Sequence, residues 1–438
     1  MTVPRRIVLV ARSFAGESLL SARAITRLEN VELFGICEQA LEPDMFREVV
    51  CVGDTHDSDQ LIDAAKQLQQ KYGSLNRIVT TYETLLEPVA KTVEALGLEG
   101  MSVATVRRAL NKSSLIATLK QAGIGTARSR VCTEAAQARQ FAHNLRFPIV
   151  LKPLNGSGGL ATWSIHNDQE LDLALELTDP KSVLPLLVEE WLSGQELSID
   201  TITIADEPRF FSICCYRPAI LEALENTAIQ WRCVMPRDIS DERIEKFIAH
   251  GIQAVRALSV GAAMTHMEGF LLDDGRVCFT DATLRPAGAR IAPMLAHAYD
   301  IDPYLAWARA TLDGSFDGPW KRKFAVGTVF LRGAGSGDVE STEGFETVKA
   351  ELGDIIVDVR LPRTGAPKAA TYTGDGYITV RHPRTEAVEA ALDFISQTVR
   401  INYSSSSSIL TQRDEWSKRL QYNRLYKPAW EIESHTSI

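Results

Sequence analysis

Met264-Thr265-His266-Met267-Glu268-Gly269-Phe270-Leu271-Leu272, then Asp273-Asp274-Gly275, then Arg276-Val277-Cys278-Phe279-Thr280-Asp281-Ala282-Thr283-Leu284-Arg285 is the stretch on which the reading of this chain turns. Two apolar, alternating runs flank an Asp-Gly pair, which predicts a tight antiparallel hairpin. Taking Asp274-Gly275 as a two-residue turn pairs 273 with 276. Glu268 then falls opposite Asp281, and His266 opposite Thr283. Period-two alternation puts Asp281, Thr283 and Arg285 on the face that carries Glu268. Two carboxylates directly opposite one another repel. A bound cation relieves that conflict, and Mg²⁺ carrying nucleotide phosphates is the natural candidate. Arg285 is then within reach of a transferring phosphoryl group. The competing reading is an exposed hairpin face with tolerated charges.

Upstream, Pro148-Ile149-Val150-Leu151-Lys152-Pro153 leads into Asn155-Gly156-Ser157-Gly158-Gly159. A strand ends in a lysine and enters a glycine-rich turn. Glycines let backbone N–H groups approach a phosphate, and the lysine adds a point charge. No Gly-Lys-[Ser/Thr] follows, so this is not a P-loop; a Gly-rich turn is also commonly only a turn. Between this turn and the hairpin lies Leu187-Val188-Glu189-Glu190-Trp191-Leu192-Ser193-Gly194-Gln195-Glu196. An apolar strand here becomes a linker with acidic groups at both ends. That suits adenine and ribose recognition, although taken alone the motif reads more simply as a solvated strand end.

Around these motifs the chain divides into units. Residues 1–104 alternate strands (5–11, 31–37, 48–52, 77–82) with helices (16–29, 58–72, 84–96), the pattern of a doubly wound α/β domain. Ser58 is the expected cap of the second helix and Gly73 its stop. The first turn, Arg12-Ser13-Phe14-Ala15-Gly16, lacks G-x-G-x-x-G, which argues against a dinucleotide site. Residues 105–190 open with a helix over 105–122. Residues 191–318 hold β-runs at 196–204 and 208–216, a helix over 240–258, the hairpin, and a helical stretch over 289–312. Tyr216 to Pro236, mixing turn, charged and aromatic residues, is an expected lid. Residues 319–403 form a smaller α+β unit. Ser404 to Ser408 reads as a polar linker or a helix start, and Leu410 to Leu420 as a tail helix.

The bulk numbers set limits. The chain has 438 residues, 45% hydrophobic and 24% charged, with net charge −9, an ordinary globular mix. The acidic balance argues against a broad nucleic-acid surface. Seven scattered cysteines, with no C-x-x-C and no Cys/His metal spacing, read as reduced thiols in a cytoplasmic protein. Neither a signal-peptide h-region nor a run of roughly 18 apolar residues is present.

In this order and spacing, the motifs resemble the ATP-grasp superfamily over about 110–290, adding Asn111-Lys112 as the early lysine. The resemblance implies an ATP-grasp fold, with an N-terminal α/β domain, two central subdomains and a C-terminal α+β unit. It implies that Lys112 and Lys152 bind ATP phosphates and that Asn155, Gly156, Ser157, Gly158 and Gly159 cover them. Glu189 would face the adenine amine, the backbone of Glu190, Trp191 and Leu192 would form the hinge, and Glu196 would take the ribose. Glu268 and Asp281, with Thr283, would hold Mg²⁺, and Arg285 and Lys152 would serve catalysis.

Most members carry Glu-x-Asn-x-Arg where this chain has Asp281-Ala282-Thr283-Leu284-Arg285, a poorer set for a second Mg²⁺. The L-amino-acid ligases that make dipeptides resemble it best. They imply a substrate pocket at Gly288, Ala289 and Arg290, where a small Ala289 leaves room and Arg290 meets a carboxylate. They also imply ATP-driven joining of two amino acids through an acyl-phosphate, in a possible homodimer. The alternatives are a biotin-carboxylase-like or purine-pathway ligase, and a nucleotide-binding member without catalysis.

Overall fold

The computed structural model describes residues 4–39, 44–154, 159, 161–178, 185–405, 412–414, 416–417 and 420. The N-terminal unit contains β1 (Arg5–Val10), α1 (Glu17–Ile25), β2 (Val31–Cys37), β3 (Glu48–Cys51), α2 (Ser58–Tyr72), β4 (Arg77–Thr80) and α3 (Leu86–Ala95). Its four parallel strands lie in the order β3-β2-β1-β4. Alternate residues of β1 enter two cores. Ile7 and Leu9 join Ala22 and Ile25 of α1, whereas Val8 and Val10 join Leu61 and Leu68 of α2 and Val89 of α3. Helices therefore cover both faces, which is why β1 is apolar throughout. The cap of α2 is Asp57 rather than Ser58: its side chain accepts from the amides of Asp59 and Gln60.

The helix expected over 105–122 is broken in two, α4 (Val103–Leu110) and α5 (Lys112–Gln121). Asn111 leaves the helical region at ψ 114°, and its side chain caps α5 by accepting from Ser114 N. Next come β5 (Ser129–Cys132), α6 (Ala135–Leu145), β6 (Ile149–Pro153), β7 (Trp163–Ile165), α7 (Asp168–Thr178) and β8 (Leu186–Glu190). These strands make an antiparallel sheet, β5-β8-β6-β7. The tail helix expected over 410–420 lies largely outside the described residues, but Trp416 packs on Trp163 with ring centroids 5.8 Å apart.

The remaining strands build one large sheet. In chain order they are β9 (Gly194–Ile204), β10 (Glu207–Arg217), α8 (Ile220–Glu225), β11 (Trp231–Met235), α9 (Glu242–Leu258), β12 (Ala263–Leu272), β13 (Val277–Thr283), α10 (Ile291–Tyr299) and α11 (Pro303–Ala308). They are followed by β14 (Ala325–Leu331), β15 (Ser336–Glu343), α12 (Phe345–Leu352), β16 (Ile356–Arg360), β17 (Gly376–His382), α13 (Thr385–Thr398) and β18 (Arg400–Ser405). Eight of these strands run β13-β12-β9-β10-β11-β14-β17-β16, and β15 pairs separately with β18.

Two expectations are corrected here. Tyr216 to Pro236 is not a lid as a whole, because β11 within it is an interior strand between β10 and β14, with Trp231 fully buried. Only the segment around α8 reaches the cavity described below. Nor is the serine run a linker from its start, since Ser404 and Ser405 end β18.

The hairpin has the predicted pairs by a different route. His266 faces Thr283 and Glu268 faces Asp281, yet Gly269 faces Phe279 and Leu271 faces Val277. The turn is one residue longer than predicted: Leu272 N donates to Arg276 O, and Gly275, at φ 80°, donates to Leu272 O. A bulge at Thr280 restores the register. It also switches the parity of β13. Val277 and Phe279 enter the core before it, and Ala282 and Leu284 after it. That switch is what turns Asp281, Thr283 and Arg285 together toward the opposite face.

Candidate active site

The two antiparallel sheets enclose a cavity of about 790 Å³. Its wall includes Lys112, Lys152, Gly159, Glu189, Glu190, Trp191, Leu192, Glu196, Glu268, Asp281, Thr283, Arg285, Gly288 and Ala289. Residues separated by up to 177 positions in sequence thus share one space. Asn155, Gly156, Ser157 and Gly158 lie outside the described residues.

Lys112 occupies the first turn of α5 because Asn111 breaks the helix there, and its amide donates to Leu154 O at 3.1 Å, next to the end of β6. Its Nζ lies 3.1 Å from Asp281 Oδ2, and the residue is only 6% exposed. Burial opposes a charge on Lys112, but Asp281, Glu83 and Glu189 outweigh it and raise its pKa. Lys152, on β6, makes a second pair, this one buried on both sides, with Nζ 2.6 Å from Glu189 Oε2. Each of the two lysines is thus already charge-balanced within the protein.

Glu190 holds Arg128, accepting from its amide at 2.8 Å and from its Nε at 2.6 Å, while its own amide donates to Arg128 O. Those bonds fix the strand end from which Trp191 and Leu192 continue. Glu196 is buried, and its Oε2 accepts from Ile220 N at 2.6 Å at the start of α8. Burial, reinforced by Glu268, pushes its pKa up to about 8, against the pull of the Ile220 amide and Lys152.

Around Glu268 the structure shows a network that the sequence reading did not contain. Oε1 accepts from Tyr216 Oη at 3.3 Å and lies 3.3 Å from His266 Nε2, whose Nδ1 is 3.0 Å from Asp200 Oδ1. Burial disfavours the imidazolium, but Asp200 and Glu268 overcome this and bring the His266 pKa to about 10. A signal for it existed. His266 shares a strand face with Glu268, and Asp200 is the lone charge in an otherwise uncharged run from Leu197 to Ile204. Glu83, just beyond β4, was also missed. Its Oε2 holds Arg285 Nη2 at 2.8 Å and ties the N-terminal unit to the hairpin.

Thr283 Oγ1 is buried without a hydrogen-bond partner among the described residues. It stands beside the opposed Glu268 and Asp281, so the oxygen donors present suit a hard divalent cation. Arg290 is a correction. It is not on the cavity wall; its guanidinium pairs with Asp358 and lies over the Tyr377 ring, 4.3 Å from the centroid. The backbone is the reason. Ala289 and Arg290 both take left-handed φ, 47° and 62°, where α10 is about to begin, and that turns Arg290 away while Ala289 stays on the wall.

Residues 117–289 match the family model described as the ATP-grasp domain. Alanine–anticapsin ligase of Bacillus subtilis (strain 168) is 20% identical over 267 residues, 56% of this chain and 55% of that one. The arginine-specific large chain of carbamoyl phosphate synthase from Lactiplantibacillus plantarum is 27% identical over 131 residues, 30% of this chain and 12% of that one. The chain thus spans about half the length of the first of these relatives and much less of the second. Among solved structures, L-amino acid ligase from Bacillus licheniformis superposes with TM-score 0.75 at 19% identity, covering 92% of this chain and all of that one. N5-carboxyaminoimidazole ribonucleotide synthetase from Thermotoga maritima gives 0.65 at 16%, covering 91% and 100%. Residues 117–289 are thus similar to the ATP-grasp domain across the two sheets that enclose the cavity, and the chain has a fold like that of L-amino acid ligase.

Proposed function

We propose that the chain is an ATP-dependent ligase that activates one amino acid's carboxylate as an acyl-phosphate and joins it to the amine of a second, releasing ADP and phosphate. The observation that supports this most is the convergence of Lys112, Lys152 and Arg285 on one cavity with the opposed Glu268 and Asp281. Phosphoryl transfer is largely a matter of placing positive charge around a transferring group, and this set supplies it.

Glu268, Asp281 and Thr283 would hold Mg²⁺, which when bound supplies charge neutralisation to the phosphates. Lys112 and Lys152 face the phosphates once their carboxylate partners are released, and the freed Glu189 is then available to an adenine amine. Arg285, held in aim by Glu83, offsets charge on the phosphoryl group and on the tetrahedral adduct. Tyr216 and His266 fix the rotamer of Glu268. Gly159 and α8 line the same cavity and would help keep water from the activated carboxylate. Gly288 and Ala289 line the wall for the amino-acid side chain, with Tyr372 nearby in the same cavity.

The test is phosphate release from ATP over single amino acids and pairs, with mass spectrometry of the products. A pair that yields ADP and a mass equal to the sum less water supports the reading. ATP binding without turnover by any pair removes amino acids as substrates, and brings forward a different carboxylate or a non-catalytic member.

A further inference from the structure

A second cavity, about 230 Å³ in volume, lies away from the reaction site, between the N-terminal unit and the large sheet. Its interior is apolar: Val79 from β4, Ala90 and Val93 from α3, Met101, Leu284 and Trp307. Two of its lining residues carry opposite charges. Arg77 Nη2 lies 2.7 Å from Glu99 Oε2, and the Glu99 side chain is 81% exposed, so the pair marks the solvent side. Thr311, also on the wall, buries a hydroxyl that has no hydrogen-bond partner among the described residues.

An apolar pocket of about 150 Å³ is enough to hold a benzene-sized ligand, so this one suits a compact molecule with a branched aliphatic group. The rim adds a stricter condition. Arg77 matches a carboxylate and Glu99 an ammonium, and a ligand carrying both can replace the ion pair charge for charge. A purely apolar ligand would leave that rim unused, and a dianion or dication would meet one repulsive partner.

The wall is continuous with the reaction site. Leu284 sits between Thr283 and Arg285, which face the large cavity, and Leu86 follows three residues after Glu83, which holds Arg285. We propose that this second cavity binds one aliphatic α-amino acid, of leucine size, as a regulatory ligand. Its side chain lies against Val79, Val93 and Trp307, and its charged groups meet Arg77 and Glu99. Occupancy presses on Leu284 and Leu86, the backs of the two segments that aim Arg285.

Calorimetric titration of the full chain with L-leucine tests this, with leucinamide (no carboxylate) and 4-methylpentanoate (no ammonium) as controls. The variants are Arg77→Gln and Glu99→Gln at the rim, Ala90→Phe in the interior, and Ala289→Trp in the reaction cavity. The expected result is a leucine site that persists in Ala289→Trp, weakens roughly tenfold or more in each rim variant, and is absent in Ala90→Phe. Neither control ligand should match leucine. Should Ala90→Phe not fold, the rim variants still decide, because Glu99 is a surface side chain. Binding that disappears in Ala289→Trp and is unchanged in both rim variants places leucine in the reaction cavity and overturns the proposal. So does the absence of binding at millimolar leucine.

Discussion

Glu196 carries a charge question that pH can answer. Its pKa stands near 8 in the folded chain against 4.5 as the ordinary value, because it is buried beside Glu268. The folded state therefore holds a proton that the unfolded state releases between these limits. The contribution is fully present below about pH 4.5 and is lost as pH rises through about 8. Glu196→Gln keeps an acceptor for Ile220 N and has no proton to lose. Its melting temperature relative to wild type should rise between pH 6 and pH 8.5; a constant difference would mean that Glu196 is ionised at both. Arg285→Ala should lower turnover about 10²–10³-fold, the usual cost of losing a donor aimed at developing charge, and should also lower the melting temperature because it leaves Glu83 unpaired. Ala289→Trp should narrow the range of accepted amino acids by filling the wall; unchanged selectivity in the product assay would remove Ala289 from the substrate pocket.

Among elements, the β12–β13 hairpin shows how much sequence pattern can and cannot deliver. Alternation placed Glu268 opposite Asp281, but the turn was read one residue short and the bulge was not foreseen, and the two differences cancelled. Bulges have no alternation signal of their own, since Thr280 looks like any strand residue. Gly269 sits where the ladder shifts, and a Cβ there would lie 2.6 Å from Cys278 O and 2.9 Å from Phe279 Cδ1. Gly269→Val should cost roughly 1–3 kcal/mol through overpacking, read by denaturant unfolding, and should reduce turnover as well by shifting Glu268.

Other elements were illegible for definite reasons. β11 is five residues long and interior, so it shows no two-sided alternation and merges with its polar flanks. β15 buries only Val339. The motifs that mark the site are local in sequence and were readable; Glu83, Asp200, Tyr216 and Tyr372 come from four separate segments that only the fold brings together.

At the scale of the whole molecule, the unit after residue 318 is not an appendage. β14 pairs with β11 from Trp231↔Phe330 to Met235↔Val326, and β17 and β16 extend the same sheet. A chain ending at residue 318 would leave β11 as a bare edge and strip the covering from Trp231, which packs against Phe330 and Tyr372. It should be insoluble or molten when expressed; a soluble fragment with a cooperative melt would show that the sheet closes without β14.

The internal pairing of the two lysines has a further consequence, for encounter in solution. Among the described residues, the large cavity is lined at neutral pH by six ionised carboxylates, with Glu196 keeping its proton, against four Lys or Arg side chains and the His266 imidazolium, and the chain as a whole carries −9. A nucleotide approaching through bulk solvent meets no attractive long-range field. Charge steering, which makes association fall steeply with added salt, is therefore absent. The association rate of ATP measured by stopped flow should stay level or climb as ionic strength increases, with capture left to contacts made after arrival.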